Sequence, residues 1–203
     1  MTGRILMSTA YLPPAEYFSL IVNADTILIE KEENYLKQSY RNRCYLLSAH
    51  GTQILSVPVL EGSRRKVSVK DIRIDYSKRW QQVHLGALCA SYRASPYFEF
   101  FFDAIEKIIL NNHTFLIDLN MDLTEFACSI LGIEKKILFT IDFEPPGNAE
   151  SDFRYSLSPK KESSYQLKDY IKVFNNGPVV DSRISIVDLI FNNGREAVDF
   201  LKI

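Results

Sequence analysis

The hydrophobic positions of the chain fall into short runs at the start and into longer helical stripes in the middle. Ile5 to Met7 is a brief apolar run able to continue as a strand toward Tyr11. Pro13-Pro14 then supplies the fixed backbone angle that suits a first helical turn. Tyr17, Phe18, Ile21 and Val22 recur at helical spacing, Glu16 lies near the positive end of that helix, and Asn23-Ala24-Asp25 stops it. Thr26 to Ile29 reads as a buried strand. Strand, helix and strand at this spacing predict a right-handed βαβ unit with two parallel strands.

Both strands of such a unit end on the same side of the sheet, where ligands of open α/β sheets bind. Ser8 to Tyr11 leaves the first strand there, and the polar stretch Asn34 to Arg43 follows the second. The two are predicted neighbours. If Lys37 to Arg43 is extended, a period of two places Lys37, Ser39, Arg41 and Arg43 on one face, a cationic stripe able to grip a phosphate or carboxylate. In a helix, Lys37 and Arg41 still share a face. A solvated basic surface has the same composition, so position alone lifts the stretch to an even contest between function and none.

Tyr40 to Leu47 and Gln53 to Val59 read as strands of a hairpin closed by Ser48 to Thr52, with Pro58 marking an edge or an end. Glu61 to Lys66 is a basic loop, after which Val67, Val69, Ile72 and Ile74 return to strand character. Asp75-Tyr76-Ser77 can cap a helix from near Lys78 to near Tyr92 that carries Trp80, Val83, His84, Ala87 and Leu88. Ser95-Pro96 opens the next, with a stripe from Phe98 to Ile109. A third spans Leu119 to Leu131 and stops at Gly132. Lys136 to Phe143 has strand composition, Glu144 to Tyr165 a long loop's, and Tyr170 to Phe174 that of a short strand or turn. Helices at Ile186 to Phe191, capped by Ser185 with Asp188 in capping-box position, and at Glu196 to Leu201 close the chain. The fold class is therefore α/β: one domain over residues 1–203, an N-terminal βαβ unit in a mixed sheet with an edge hairpin, plus central and C-terminal helical blocks.

Charge narrows the partners. The 24 basic and 25 acidic residues nearly cancel, so no global field draws the chain to nucleic acid or an anionic membrane, and any anion site is local. No stretch approaches the roughly 20 apolar residues of a membrane span. Cys44, Cys89 and Cys128 are too scattered for a metal site or a disulfide framework, which with the lack of a signal-peptide core indicates reduced thiols in the cytoplasm. No metal or cofactor motif is present, and the oligomeric state is not readable.

Of the three histidines, His84 is the best general-base candidate, although a histidine on an amphipathic helix is more often a hydrogen-bonded structural residue. His50 sits in a hairpin turn and His113 in a connection. Cys44 beside Arg43 can be written as a nucleophile paired with His84, but a buried strand cysteine is the simpler reading. Tyr92 and Tyr97 can stack on a sugar or base, or pack a helix pair. Gly-rich phosphate loops and nucleophile elbows are absent.

Several stretches together resemble the WbqC-like family, bacterial proteins encoded among genes for surface polysaccharides such as O-antigen. They are Tyr11-Leu12-Pro13 with Tyr17-Phe18; Lys37 with Ser39-Tyr40 and Asn42-Arg43; Ile74-Asp75 with Trp80 and His84; Tyr92 with Ser95 to Phe98; and Ser185, Asp188-Leu189 and Phe191-Asn192 with Gly194. The resemblance implies a glycine or other aminoacyl transferase acting on a sugar precursor. The family usually writes His-Gln-Pro where this chain has Met7-Ser8-Thr9, and often tryptophan where it has Pro14. If that histidine is the base, this chain lacks it: His84 does the work, the chemistry is substrate-assisted, or the branch has changed function.

The resulting expectation is acyl or aminoacyl transfer to a small-molecule or nucleotide-linked sugar. Lys37, Arg43 and Arg41 would hold the donor's anionic group, His84 would accept the proton, and Tyr11, Asn34, Gln38, Ser39, Tyr40, Asn42, Tyr92 and Tyr97 would line the substrate site. A non-catalytic nucleotide-sugar or anion-binding accessory protein is the alternative. A nucleotidyltransferase is a third reading, weakened by the missing glycine loop.

Overall fold

A computed structural model describes residues 3–60, 66–146, 152–161, 163, 165–174 and 181–202. The βαβ unit is present as β1 (Arg4–Met7), α1 (Ala15–Val22) and β2 (Thr26–Ile29), with β1 parallel to β2 in register from Arg4 opposite Thr26 to Met7 opposite Ile29. Pro14 stands at the cap of α1 and Glu16 in its first turn, as their backbone preferences require.

The predicted hairpin forms from β3 (Arg43–Ser48) and β4 (Gly51–Ser56), and it makes a two-stranded sheet of its own. Three helices follow: α2 (Trp80–Tyr92), α3 (Phe98–Leu110) and α4 (Leu116–Leu131). Gly132 ends α4 at φ 63, the left-handed geometry that glycine adopts without a Cβ penalty. Then β5 (Lys136–Phe139) returns to pair parallel with β2, giving the order β1-β2-β5. The chain closes with α5 (Ile186–Asn193), capped by the Ser185 hydroxyl, and a 3-10 segment, Gly194–Phe200.

The hydrophobic residues collect into two clusters. One lies around the parallel sheet, α1 and the C-terminal segment, with Met7, Phe18, Ile27, Ile29 and Ile190 at its centre. The other fills the space between the hairpin, α2 and α3, with Leu46, Val57, Leu88, Ile105 and Phe191. Helices α4 and α5 join them, because each contributes residues to both cores: Leu123 to one and Ala127 to the other on α4, Phe191 and Ile190 likewise on α5.

Four expectations need correction. Val67 to Ile74 is not a strand but a 3-10 turn at Val69–Asp71 flanked by single bridges, Asn34 with Ser68 and Val59 with Ile74. Asp75 does not cap α2; its carboxylate accepts from Ser77 N at 2.8 Å in a local turn, a geometry that competes with capping. Asp188 does not complete a capping box but accepts from the Tyr170 hydroxyl at 2.5 Å, and Tyr170–Phe174 has no regular structure. The closing segment is 3-10 rather than α-helical. Of the basic loop expected at 61–66, residues 61–65 lie outside the described residues, as do 147–151, 162 and 164 of the long loop expected at 144–165.

Candidate functional site

At the carboxyl ends of the strands, Glu30 directly follows β2 and Glu33 lies three residues on, and both are 0% exposed. Burying a carboxylate is costly unless it is paired and hydrogen-bonded. Both are. Arg41 grips Glu33 in a fork, Nε to Oε1 at 2.9 Å and Nη2 to Oε1 and Oε2 at 2.6 and 2.7 Å. The same Nη2 donates to the Ser8 hydroxyl at 2.5 Å, which ties the end of β1 into the pair. Desolvation pushes the Glu33 carboxyl above its usual range, against the pull of Arg41.

Glu30 is served from further away. Arg154 Nη1 donates to its Oε2 at 3.1 Å, Thr140 Oγ1 to its Oε1 at 2.7 Å, and the backbone N–H groups of Glu32 and Glu144 complete its shell, each at 2.9 Å. Arg154 also forks onto Asp152 at 2.9 and 2.6 Å and lies between the rings of Phe143 and Tyr155. Three acids and two arginines thus form a largely buried ionic cluster at the end of the parallel sheet.

The predicted adjacency of the two polar stretches is present: Tyr11 N donates to Tyr40 O at 2.8 Å. The cationic stripe is not. Residues 37–42 are turns, and Gln38 sits at φ 56, which breaks the period of two, so Lys37 is exposed, Ser39 and Arg41 are buried, and Arg43 is half-buried. Among the described residues only three non-glycine residues have positive φ, and two of them are here: Leu12 directly after the first stretch and Gln38 within the second. Such strained backbone concentrates where function or tight packing overdetermines it.

The second arginine of the stretch has a different setting. Arg43 opens β3 opposite Ser56, forms no ion pair among the described residues, and has a buried Nε with no hydrogen-bond partner. Behind it, His84 bonds the Ser56 backbone and, through Nδ1, the Tyr11 hydroxyl at 2.8 Å. A backbone bond that favours the charged ring is one to the carbonyl oxygen, so the ring donates there and Nδ1 accepts from Tyr11. Burial drives His84 down to about 4, so it is neutral at ordinary pH. At 2% exposure, under the rings of Tyr11 and Trp80, it has no open path to a substrate.

The other expected residues divide sharply. Asn34 and Gln38 are exposed beside Lys37, whereas Ser39 donates to Leu36 O at 2.6 Å and Asn42 to Val57 O at 3.0 Å, both holding the turn. Tyr40 is 5% exposed against Tyr45. Tyr92 is 1% exposed, its hydroxyl accepting from Leu47 N at 3.0 Å and bonding Asp188, so it is a core residue without a substrate face. Tyr97 packs on Phe101 and on Gly194, where a Cβ would lie 2.8 Å from its ring. Cys44 is a buried strand residue with its thiol pushed up by desolvation, so a thiolate paired with His84 is not formed. His113 bonds Asp122 at 2.7 Å, and no group of three or more potential metal ligands occurs among the described residues.

Glu30, Glu33, Arg154 and Asn120 escaped the sequence reading. Asn120 is wholly buried in α4 and donates to Arg41 O at 2.8 Å. The one available signal was the run Ile27-Leu28-Ile29-Glu30, an acid where a buried strand enters the ligand side of the sheet.

The sequence profile of the WbqC-like protein family matches residues 9–172. An uncharacterized protein of Mycobacterium tuberculosis, Rv1507c, is 27% identical, with 97% of this chain and 96% of that protein covered. No solved structure matches significantly.

Proposed function

From the premise that the chain belongs to the WbqC-like protein family, we propose that it is an acyl or aminoacyl transferase, of glycine or a related group, modifying a sugar precursor of bacterial surface polysaccharide in the cytoplasm. The observation that carries this reading is the setting of Arg43: a guanidinium with a buried Nε and no carboxylate partner among the described residues, at the start of β3 and two residues after Arg41, which is itself tied to the strand ends where open α/β sheets bind ligands. Arg43 holds the donor's anionic group and stabilises the oxyanion that develops on acyl transfer, with Lys37 at the exposed rim. Arg41, consumed by Glu33, shapes the site rather than touching substrate. His84 is a positioning residue: it fixes Tyr11, whose backbone holds Tyr40 and through it the turn leading to Arg43.

A thermal-shift screen of nucleotide sugars and aminoacyl donors, followed by mass spectrometry of donor and acceptor mixtures, tests the reading. One ligand class raises the melting temperature of the wild type and not that of Arg43→Ala, and the acceptor gains the mass of the acyl group. Arg43→Ala lowers turnover by at least about tenfold to a hundredfold, the loss of one charge-assisted contact to the transition state. Transfer at the wild-type rate by Arg43→Ala would falsify the assignment.

The second reading is a nucleotide-sugar-binding accessory protein. It is favoured by the enclosure of His84 and by Met7, a residue without acid-base chemistry, at the position where the family commonly has histidine. It predicts the same Arg43-dependent stabilisation by a nucleotide sugar with no transfer from any donor.

A further inference from the structure

From Ile5 to Ala15 every residue but one is buried. The exception is Ser8, half-buried where the chain leaves β1 at the ligand end of the sheet. Its backbone is fixed, because the Tyr17 hydroxyl donates to Ser8 O at 3.0 Å. Its hydroxyl meets the ionic cluster: Arg41 Nη2 donates to Oγ at 2.5 Å, Oγ hydrogen-bonds the Glu33 carboxylate, and Arg154 O lies farther off at 3.3 Å. The next hydroxyl along the chain, that of Thr9, is buried and has no hydrogen-bond partner.

A serine hydroxyl is a weak nucleophile until a base takes its proton and a cation steadies the charge left behind. Ser8 has both within reach. A carboxylate cannot donate, so toward Glu33 the hydroxyl is the donor, while its oxygen accepts from Arg41. Glu33 is a stronger base than an ordinary carboxylate, because burial disfavours its charged form by more than Arg41 restores. The fork between Arg41 and Glu33 is complete without Ser8, so the hydroxyl is not needed to neutralise either charge.

We propose that Ser8 is the nucleophile of the transfer, with Glu33 as its general base and Arg41 as the cation beside its oxygen, so that the acyl group is carried on the protein between donor and acceptor. This rests on the acyl-transfer reading. Ser8 Oγ attacks the donor's acyl carbonyl, its proton passes to Glu33, the bond from the carbonyl to the leaving group breaks, and the leaving group departs with that proton. The acceptor's amine or hydroxyl then attacks the serine ester and loses its proton to Glu33, and the bond from Oγ to carbon breaks as the proton returns to Oγ. Arg41 stabilises charge on Oγ in both halves without touching the substrate.

Phenylmethanesulfonyl fluoride, which needs an activated serine and no donor, tests the nucleophile on the full chain by intact mass and peptide mapping. The expected result is a sulfonyl group on Ser8 of the wild type and none on Ser8→Ala. Glu33→Gln, which keeps an oxygen for Arg41 but cannot take a proton, slows labelling by about a hundredfold or more. Circular dichroism checks folding, and Ser8→Ala, which leaves the Arg41 and Glu33 fork untouched, decides the matter if Glu33→Gln fails to fold. An unlabelled wild type, Ser8→Ala labelled at the wild-type rate, or a folded Glu33→Gln labelled as fast as the wild type overturns the proposal. The nucleophile and the transferase reading fail separately. Arg43-dependent transfer at full rate by Ser8→Ala removes the covalent route and keeps the transferase, whereas a labelled Ser8 with no transfer from any donor keeps the activated serine and removes the transferase.

Discussion

Arg41 and Arg43 stand two residues apart in one polar stretch and end in opposite circumstances. Arg41 is 3% exposed, forked onto a fully buried glutamate, and joined to Ser8. Arg43 is half-buried at the mouth of the hairpin, with no carboxylate among the described residues and a hydrogen-bonding nitrogen unused. A cation is available to a ligand only where the fold has not already supplied its counter-charge. The strand-end cluster spends its charges on holding β1, β2 and the segment around Arg154 together, and the hairpin side leaves one over.

That contrast can be broken most forcefully on its ionic side. Arg41→Ala leaves Glu33 buried without its partner, and Arg154→Ala does the same to Glu30, so each should cost about 3 to 5 kcal/mol in urea unfolding. Arg41→Met with Glu33→Leu removes both charges and should recover most of the loss, since an apolar pair of similar volume is often no worse than a buried ion pair. If the single variants unfold like the wild type, the cluster is not structural.

The next effect sharpens the other side. The His84 imidazole is held at about 4 against an ordinary 6.5. The unfolded chain therefore takes up a proton that the native chain refuses, and stability falls as pH drops from 6.5 toward 4, by roughly 3 kcal/mol in all. Above pH 6.5 this term is silent. His84→Gln removes it, so the stability advantage of wild type over variant should shrink across that window; a constant difference would mean that His84 titrates normally.

The smallest effect is the most telling. Arg43→Ala deprives no buried acid of its partner, and it should change stability by less than about 1 kcal/mol while abolishing ligand-induced stabilisation. A large loss of stability from this variant would place Arg43 with Arg41 among the structural arginines.

Much of the framework was legible because it is written in apolar periodicity. The parallel strands, α2, α3 and the cap at Ser185 follow from runs and stripes that local physics already dictates. What was hidden is long-range. Gln38 carries no signature of the left-handed turn that destroys the expected stripe, and an acid after a strand normally means solvent, so Glu30 and Glu33 read as ordinary surface. Arg154 lies in a stretch of serine, proline and charge with nothing local to bury it. Tyr92 shows the converse: an aromatic with a hydroxyl suits a sugar platform or a core equally, and only Leu47 and Asp188 decide between them.

The sequence spans of the two buried pairs differ: Arg41 follows Glu33 by 8 residues, whereas Arg154 follows Glu30 by 124. A nascent chain leaving the ribosome can close the first pair almost as soon as it is exposed. The second carboxylate must wait until three-quarters of the protein has been made. Closing the longer loop carries the larger entropy cost, so the Glu30 half of the cluster is the one whose pairing leans on the rest of the fold.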